Sequence, residues 1–169
     1  MADIFLIRCL WNGIENFCIW YSDEKCGLFC DEEKKILCFL NKSATLLYLS
    51  QNNLCLCQDE DCTAYDFDKL KAWVDSDDSV VNCGDISDIW NMFTDIAYTT
   101  GVQFKGDKRT KLIDLIYDKL FFGNNISVIK KITEEKEDFI PDWDKKEIKT
   151  IKSVMKDGLN IFMANLKCV

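Results

Sequence analysis

The sequence contains no histidine, and its seven glycines and single proline are dispersed along 169 residues. Without an imidazole, a Ser-His-Asp or Cys-His nucleophile pair cannot form, and the commonest metal-ligating side chain is missing. Neither G-x-x-x-x-G-K-[ST] nor G-x-G-x-x-G occurs, which excludes the usual glycine-rich phosphate-binding loops. These absences predict a protein that is not an enzyme and that uses no cofactor.

Long apolar runs are missing too. No stretch approaches 18 consecutive apolar residues, and the first eight residues lack the basic start of a signal peptide. We therefore expect a cytoplasmic protein, folded as a single domain over residues 1–169. In that compartment the ten cysteines are expected to be mostly free, buried thiols. The apolar, strand-like runs contain Cys9, Cys18, Cys38, Cys55 and Cys57.

Two metal-site patterns fail on spacing. Cys26 and Cys30, followed by Cys55, Cys57 and Cys62, do not form the two close Cys-x2-Cys pairs typical of structural zinc. The stretch from residue 59 to 70 has EF-hand-like spacing, but it carries alanine where the loop needs glycine and leucine where it needs glutamate. No metal site is predicted.

The first half of the chain has the pattern of a β-meander. Short runs rich in Phe, Ile, Leu, Trp and Cys alternate with polar turn residues, and such brief connections favour antiparallel neighbours. The predicted strands are 4–10, 17–21, 27–30, 35–40, 45–49 and 54–57. They define a β-meander subregion over residues 1–58.

The second half, residues 65–169, has the spacing of about four helices. Asp66 is a candidate N-cap for the first, and the second starts near Asp85 and stops at Gly101. A third is predicted from about 107 to 122. The last begins at Asp144, whose spacing to Glu147 is that of a capping box, and a kink is expected at its Gly158. The predicted fold class is α+β, with an N-terminal antiparallel β-meander packed against a C-terminal group of about four helices.

Charge is concentrated in the middle of the chain. The formal charge is −8, and residues 59–95 hold eleven carboxylates against two lysines. This balance disfavours direct binding to nucleic acid or to an anionic membrane, because both require Lys and Arg to meet phosphate. A concentrated negative field attracts a basic partner, although a solvated acidic face is the simpler alternative.

Helix starts account for Asp66, Asp85 and Asp88, where a carboxylate stabilises the helix dipole. The remaining acids form the predicted partner-binding set: Asp59, Glu60, Asp61, Asp68, Asp75, Asp77 and Asp78. Candidate aromatic anchors are Trp11, Tyr65 and Trp73, of which Trp73 is interpreted first as a core residue.

Three segments then suggest a class of protein: DIWNMFTDIA at 88–97, IYDKLFFGNN at 116–125 and FIPDW at 139–143. With the acidic, histidine-free α+β profile, they give a chain that resembles the immunity proteins of bacterial polymorphic toxin systems, including contact-dependent growth inhibition. The resemblance implies one-to-one neutralisation of a cognate toxin domain, often a basic nuclease, by occlusion of its active site. It carries no catalytic residues across.

The alternative from another class is a non-enzymatic intracellular adaptor or interaction module, possibly viral or phage-encoded. A metal- or thiol-dependent regulator is a third reading, which predicts bound zinc or a cysteine of low pKa.

Overall fold

The computed structural model describes residues 2–57, 62–133 and 137–169, and within them the chain is an α+β protein with a mixed sheet. The strands are β1 (Asp3–Trp11), β2 (Ile14–Ser22), β3 (Cys26–Leu28), β4 (Ile36–Cys38), β5 (Thr63–Asp66) and β6 (Leu166–Cys168). The helices are α1 (Lys42–Gln51), α2 (Phe67–Asp75), α3 (Cys83–Thr100), α4 (Lys111–Gly123), α5 (Ser127–Thr133) and α6 (Lys145–Ala164). A single 3-10 turn, Lys105–Asp107, lies between α3 and α4.

The β1–β2 hairpin confirms the antiparallel start of the predicted sheet. Its register runs without interruption from Asp3 opposite Ser22 to Trp11 opposite Ile14. The two-residue turn places Asn12 at φ 51° and Gly13 at φ 71°, the left-handed pair that a type I′ turn requires. Strand β3 then pairs antiparallel with β2.

The purely antiparallel meander is wrong, however. Strand β5 returns after residues 12–62 and pairs parallel with β1, which gives the four-stranded order β3-β2-β1-β5. Strand β6 comes from the other end of the chain and pairs parallel with β4. The prediction failed because short loops favour antiparallel pairs only between consecutive strands, whereas both parallel pairs join segments far apart in sequence.

The predicted strand at 45–49 lies inside helix α1. The side chain of Asn41 accepts a hydrogen bond from the Ala44 amide and caps the helix. Thr45 and Leu49, four residues apart, are buried, whereas Leu46 and Leu47 point outward. The run at 54–57 is likewise not a strand, although the Cys57 amide donates to the Ile4 carbonyl at 2.8 Å.

The sheet is covered on both faces. Alternation along the strands sends Ile7, Cys9, Cys18, Ile36 and Cys38 into the larger core, which packs against α2, α3, α4 and α6. The intervening residues build the smaller core against α1, and they are Ile4, Leu6, Phe17, Ile19, Leu37 and Phe39. One face of the sheet therefore packs against the C-terminal helices, while the other face packs against α1 from the N-terminal half.

The helices predicted in the second half are confirmed, with adjusted ends. Asp66 caps α2, and Gly101 ends α3 in the left-handed conformation at φ 71°. The cap of α3 is Asn82, so Asp85 lies within the first turn. Asp144 and Glu147 form the capping box of α6. The region 126–141, for which the sequence made no assignment, contains α5.

All ten cysteines are free thiols. Cys9, Cys18, Cys38 and Cys83 are buried, as expected of small hydrophobes. The other six are not buried, so the prediction of mostly buried thiols is wrong. Cys55 and Cys57 are exposed because the run that contains them is not part of the sheet.

Gly158 allows α6 to approach α3 closely. Helix α6 runs unbroken through this residue, and a Cβ built there would lie 2.0 Å from Cδ2 of the fully buried Phe93. The glycine is therefore needed for packing, whatever its cost to the isolated helix.

We expect Gly158→Ala to destabilise the protein by about 1–3 kcal/mol, because overpacking outweighs the gain of about 1 kcal/mol in helix propensity. Urea unfolding would measure the difference. The double variant Gly158→Ala/Phe93→Leu should be more stable than the sum of the two single effects predicts, because the smaller side chain makes room for the added methyl group. Equal or greater stability of Gly158→Ala would contradict this account of the packing.

Candidate functional site: an acidic groove

A groove of about 380 Å³ runs between the outer strand β5 and the first turns of α2 and α3. It is lined by Thr63, Ala64, Tyr65, Asp66, Lys69, Leu70, Trp73, Asp78, Val80, Asn82, Asp85, Ile86, Asp88 and Ile89. Two helix starts converge there because β5 leads directly into α2, while the loop after α2 returns the chain to the start of α3.

The floor of the groove is apolar. Leu70, Ile86 and Ile89 are buried core residues that contribute their outer edges to it. The ring of Tyr65 stacks on that of Phe67, with centroids 6.1 Å apart. Burial, reinforced by the charge of Asp88, raises the pKa of Tyr65 further above the physiological range.

The rim of the groove is acidic. Four carboxylates line it, those of Asp66, Asp78, Asp85 and Asp88, against the one ammonium of Lys69. Lys69 Nζ lies 3.8 Å from Asp85 Oδ2, but both side chains are more than half exposed, so this ion pair contributes little to stability. Burial, and secondarily the charge of Asp85, raises the pKa of Asp88. The groove therefore carries negative charge that is not neutralised within it.

Of the predicted binding set, Asp78 and Tyr65 lie on this groove. Asp78 Oδ1 accepts a hydrogen bond from the Val80 amide at 2.9 Å, which orders the loop between α2 and α3. Asp77 is exposed beside the groove and makes no hydrogen bond or ion pair with any described residue. Asp59, Glu60 and Asp61 fall outside the described residues.

Asp68 and Asp75 have partners within the fold. Asp68 accepts hydrogen bonds from the amides of Asn12 and Gly13, at 2.8 and 2.7 Å, and so ties the β1–β2 turn to α2. Asp75 lies 3.1 Å from Lys71 Nζ and 4.0 Å from Lys156 Nζ. These carboxylates are not part of the groove.

The predicted anchors also divide. Trp11 is half-buried at the end of β1, packs against the larger core and does not line the groove. Trp73, interpreted first as core, does line it. The Trp73 indole N–H donates to the Val80 carbonyl at 2.9 Å, and Lys152 lies over the ring at 5.0 Å. The tryptophan is therefore fixed as one wall.

The sequence missed the groove residues Asp66, Asp85 and Asp88 because it assigned them to helix starts. Asp66 and Asp85 have both roles, because they lie at helix starts that face the same space, whereas Asp88 lies one turn beyond the start of α3. The available signal was a carboxylate at two successive helix starts joined by a short loop, but the pairing of β5 with β1, which positions the first of them, was not predictable from it.

A second cleft, on the far side of α3, is less charged. It is lined in part by Tyr98, Val102 and Phe104, and its carboxylate, Asp107, accepts a hydrogen bond from the Thr94 hydroxyl at 2.7 Å. Among the described residues, no three Cys, Asp or Glu side chains are grouped closely enough to hold a metal ion. None of the described helices combines the length and apolarity needed to cross a membrane.

Comparison with known proteins identifies the fold alone. No family model and no curated protein matches the chain. The crystal structure of the SatS C-terminal domain, in complex with bromine, is similar to it with a TM-score of 0.58, at 10% sequence identity. The match covers 99% of this chain and 94% of that domain, so the similarity of fold extends over nearly the full length of both.

We expect Asp68→Ala to reduce the free energy of unfolding by about 1–3 kcal/mol, because two turn amides lose a charged acceptor. Chemical denaturation would measure it. Asp77→Ala, which removes an exposed carboxylate without a partner among the described residues, is the matched control and should change stability little. Equal effects of the two variants would show that the turn does not depend on Asp68.

Asp88→Asn should stabilise the protein at neutral pH. The pKa of Asp88 is higher in the folded than in the unfolded chain, so its ionised form costs stability above that pKa. The cost disappears as the pH falls through the raised pKa, because the folded carboxyl then takes up a proton. The advantage of the variant over the parent should therefore shrink between pH ~7 and pH ~4 in urea unfolding. An advantage that is constant across this interval would contradict the assignment.

Proposed function

We propose that this protein is a non-enzymatic immunity protein that neutralises a basic, nuclease-type toxin domain, and that the acidic groove is its binding site. The observation that carries the proposal is the convergence of four carboxylates, with one lysine, over an apolar floor. A surface of this kind complements cationic side chains whose stems are apolar.

Charge selects the class of partner. A nuclease binds phosphates with Lys and Arg side chains, and the same side chains are attracted to the groove. Nucleic acid itself is repelled by a chain of formal charge −8. A small cation alone would leave the apolar floor and the Tyr65 and Trp73 walls without a role.

The shape of the site refines how inhibition would work. A concave surface receives a protruding segment, so the groove would cover a basic strand or loop at the margin of the toxin's active site. The groove carboxylates would replace the phosphates that this segment normally contacts. The contact would then lie near the helix starts, away from Asp75, which the lysines of α2 and α6 already neutralise.

The second candidate is an adaptor without a toxin, and an exposed apolar surface on the α4–α5 side favours it. Phe121, Phe122 and Phe139 make edge-to-face ring contacts there, while Ile132 and Ile140 are 76% and 85% exposed. Both side-chain ends of Asn125 hydrogen-bond the Phe139 backbone and hold the surface together. An adaptor needs two binding surfaces, and this one shares no residue with the groove lining.

Removing groove charge should slow association with the cognate toxin domain. At low ionic strength we expect the double variant Asp85→Asn/Asp88→Asn to lower the association rate roughly 10-fold or more, and added salt should slow the parent but hardly the variant. Stopped-flow fluorescence measures the rate, and survival of cells that express the toxin measures protection.

The control, Asp23→Asn/Asp118→Asn, removes two exposed carboxylates that do not line the groove and should behave like the parent. An association rate that is insensitive to salt, or equal losses in the two double variants, would overturn the proposal. Binding of another basic protein without protection from any neighbouring toxin would favour the adaptor.

A further inference from the structure

Strand β5 forms one side of the groove and is also the edge of the sheet. It pairs with β1 from Ile7 opposite Thr63 to Leu10 opposite Asp66, and no other described strand borders it. Thr63 and Ala64 are exposed. The outward N–H and C=O groups of such a strand are a template for a further strand.

The other edge of the sheet does not offer the same template. Strand β3 has three residues, and its Leu28 amide donates to the Thr99 hydroxyl at 2.8 Å. Among the described residues, the exposed apolar surface of α4 and α5 contains no strand edge.

Alternation along β5 relates its edge to the carboxylates. Thr63 and Tyr65 stand opposite Ile7 and Cys9, whose side chains point toward the helices, so they face the same way. The groove is therefore the space between a strand edge and the first turns of two helices. A strand added beside β5 would lie about 4.8 Å from it and would direct every second side chain toward α3.

The spacing of the acids suits such a strand. Asp85 and Asp88 are three residues apart on one helix, or roughly 4.5 Å along its axis. Alternate residues of a strand are roughly 6.8 Å apart, a difference that flexible lysine or arginine side chains span easily. Their aliphatic stems would cover Leu70 and Ile89, and their charged ends would reach the rim.

We infer that the groove binds an extended segment with Lys or Arg at alternate positions, which adds to the sheet along the free edge of β5. This inference rests on the proposed function, because it specifies how the same groove holds the basic partner. Main-chain hydrogen bonds to β5 would supply affinity, and the carboxylates would select for alternating positive charge.

The probe is an acetylated, amidated decapeptide of alternating Lys and Thr, measured against the full chain by Trp fluorescence and by amide hydrogen exchange. We expect saturable binding at low salt, with slowed exchange at Thr63–Asp66. A peptide of five Lys followed by five Thr has the same composition without the alternation, and should bind at least roughly 10-fold more weakly.

Two further peptides test the backbone contacts, one N-methylated at every Lys and one at every Thr. Alternate amides of a strand point to opposite neighbours, so one methylated peptide should lose binding at least roughly 10-fold while the other stays within about 3-fold of the parent. If both bind like the parent peptide, or if the parent peptide does not bind, strand addition is overturned.

These outcomes are separable from those of the proposed function. Loss of peptide binding in Asp85→Asn/Asp88→Asn, with equal binding of both methylated peptides, would retain the acidic groove and refute the added strand. Peptide binding with the expected methylation pattern, together with salt-independent association of the toxin, would retain the strand and refute the toxin assignment.

Discussion

The packing of three phenylalanines between α2, α3 and α6 determines where the groove lies. The Phe67 ring contacts those of Phe162 and Phe93, with centroids 4.9 and 5.7 Å apart, and all three side chains are almost completely buried. Aromatic pairs of this kind contribute beyond the area that they bury. Because Phe67 follows the cap residue Asp66 directly, this cluster fixes the start of α2 against α3. The positions of the groove carboxylates follow from it.

Acidic residues at helix starts explain how the fold tolerates the charge of the groove. The amides of a first helical turn carry partial positive charge, so Asp66 and Asp85 are stabilised where they stand. Asp88, one turn further along α3, lacks that compensation, and its raised pKa reflects the cost. Much of this binding surface therefore consists of residues that also stabilise the helices, whereas Asp88, whose pKa is raised, bears a cost of ionisation in the folded state.

Local features were predictable from the sequence, and long-range pairing was not. The cap at Asp66, the stop at Gly101 and the capping box of Asp144 with Glu147 depend on residues a few positions apart, and all three are confirmed. Strands β5 and β6 are short and pair in parallel with strands far away in sequence. No turn sequence in the chain therefore indicates these pairings. The groove was not predictable for the same reason, because its strand side is positioned by the pairing of β5 with β1. The run 45–49 contains residues that favour a strand, but it lies in helix α1, whose start is capped by Asn41.

Three buried thiols on neighbouring strands can report when the sheet separates from the helices that cover it. Cys9, Cys18 and Cys38 lie on neighbouring strands and have almost no contact with solvent, whereas Cys30 and Cys168 are accessible. An alkylating reagent would modify the accessible sulfurs first and reach the central ones only when the sheet separates from its helices. The delay between the two phases would therefore measure the lifetime of the closed core, without any label introduced from outside.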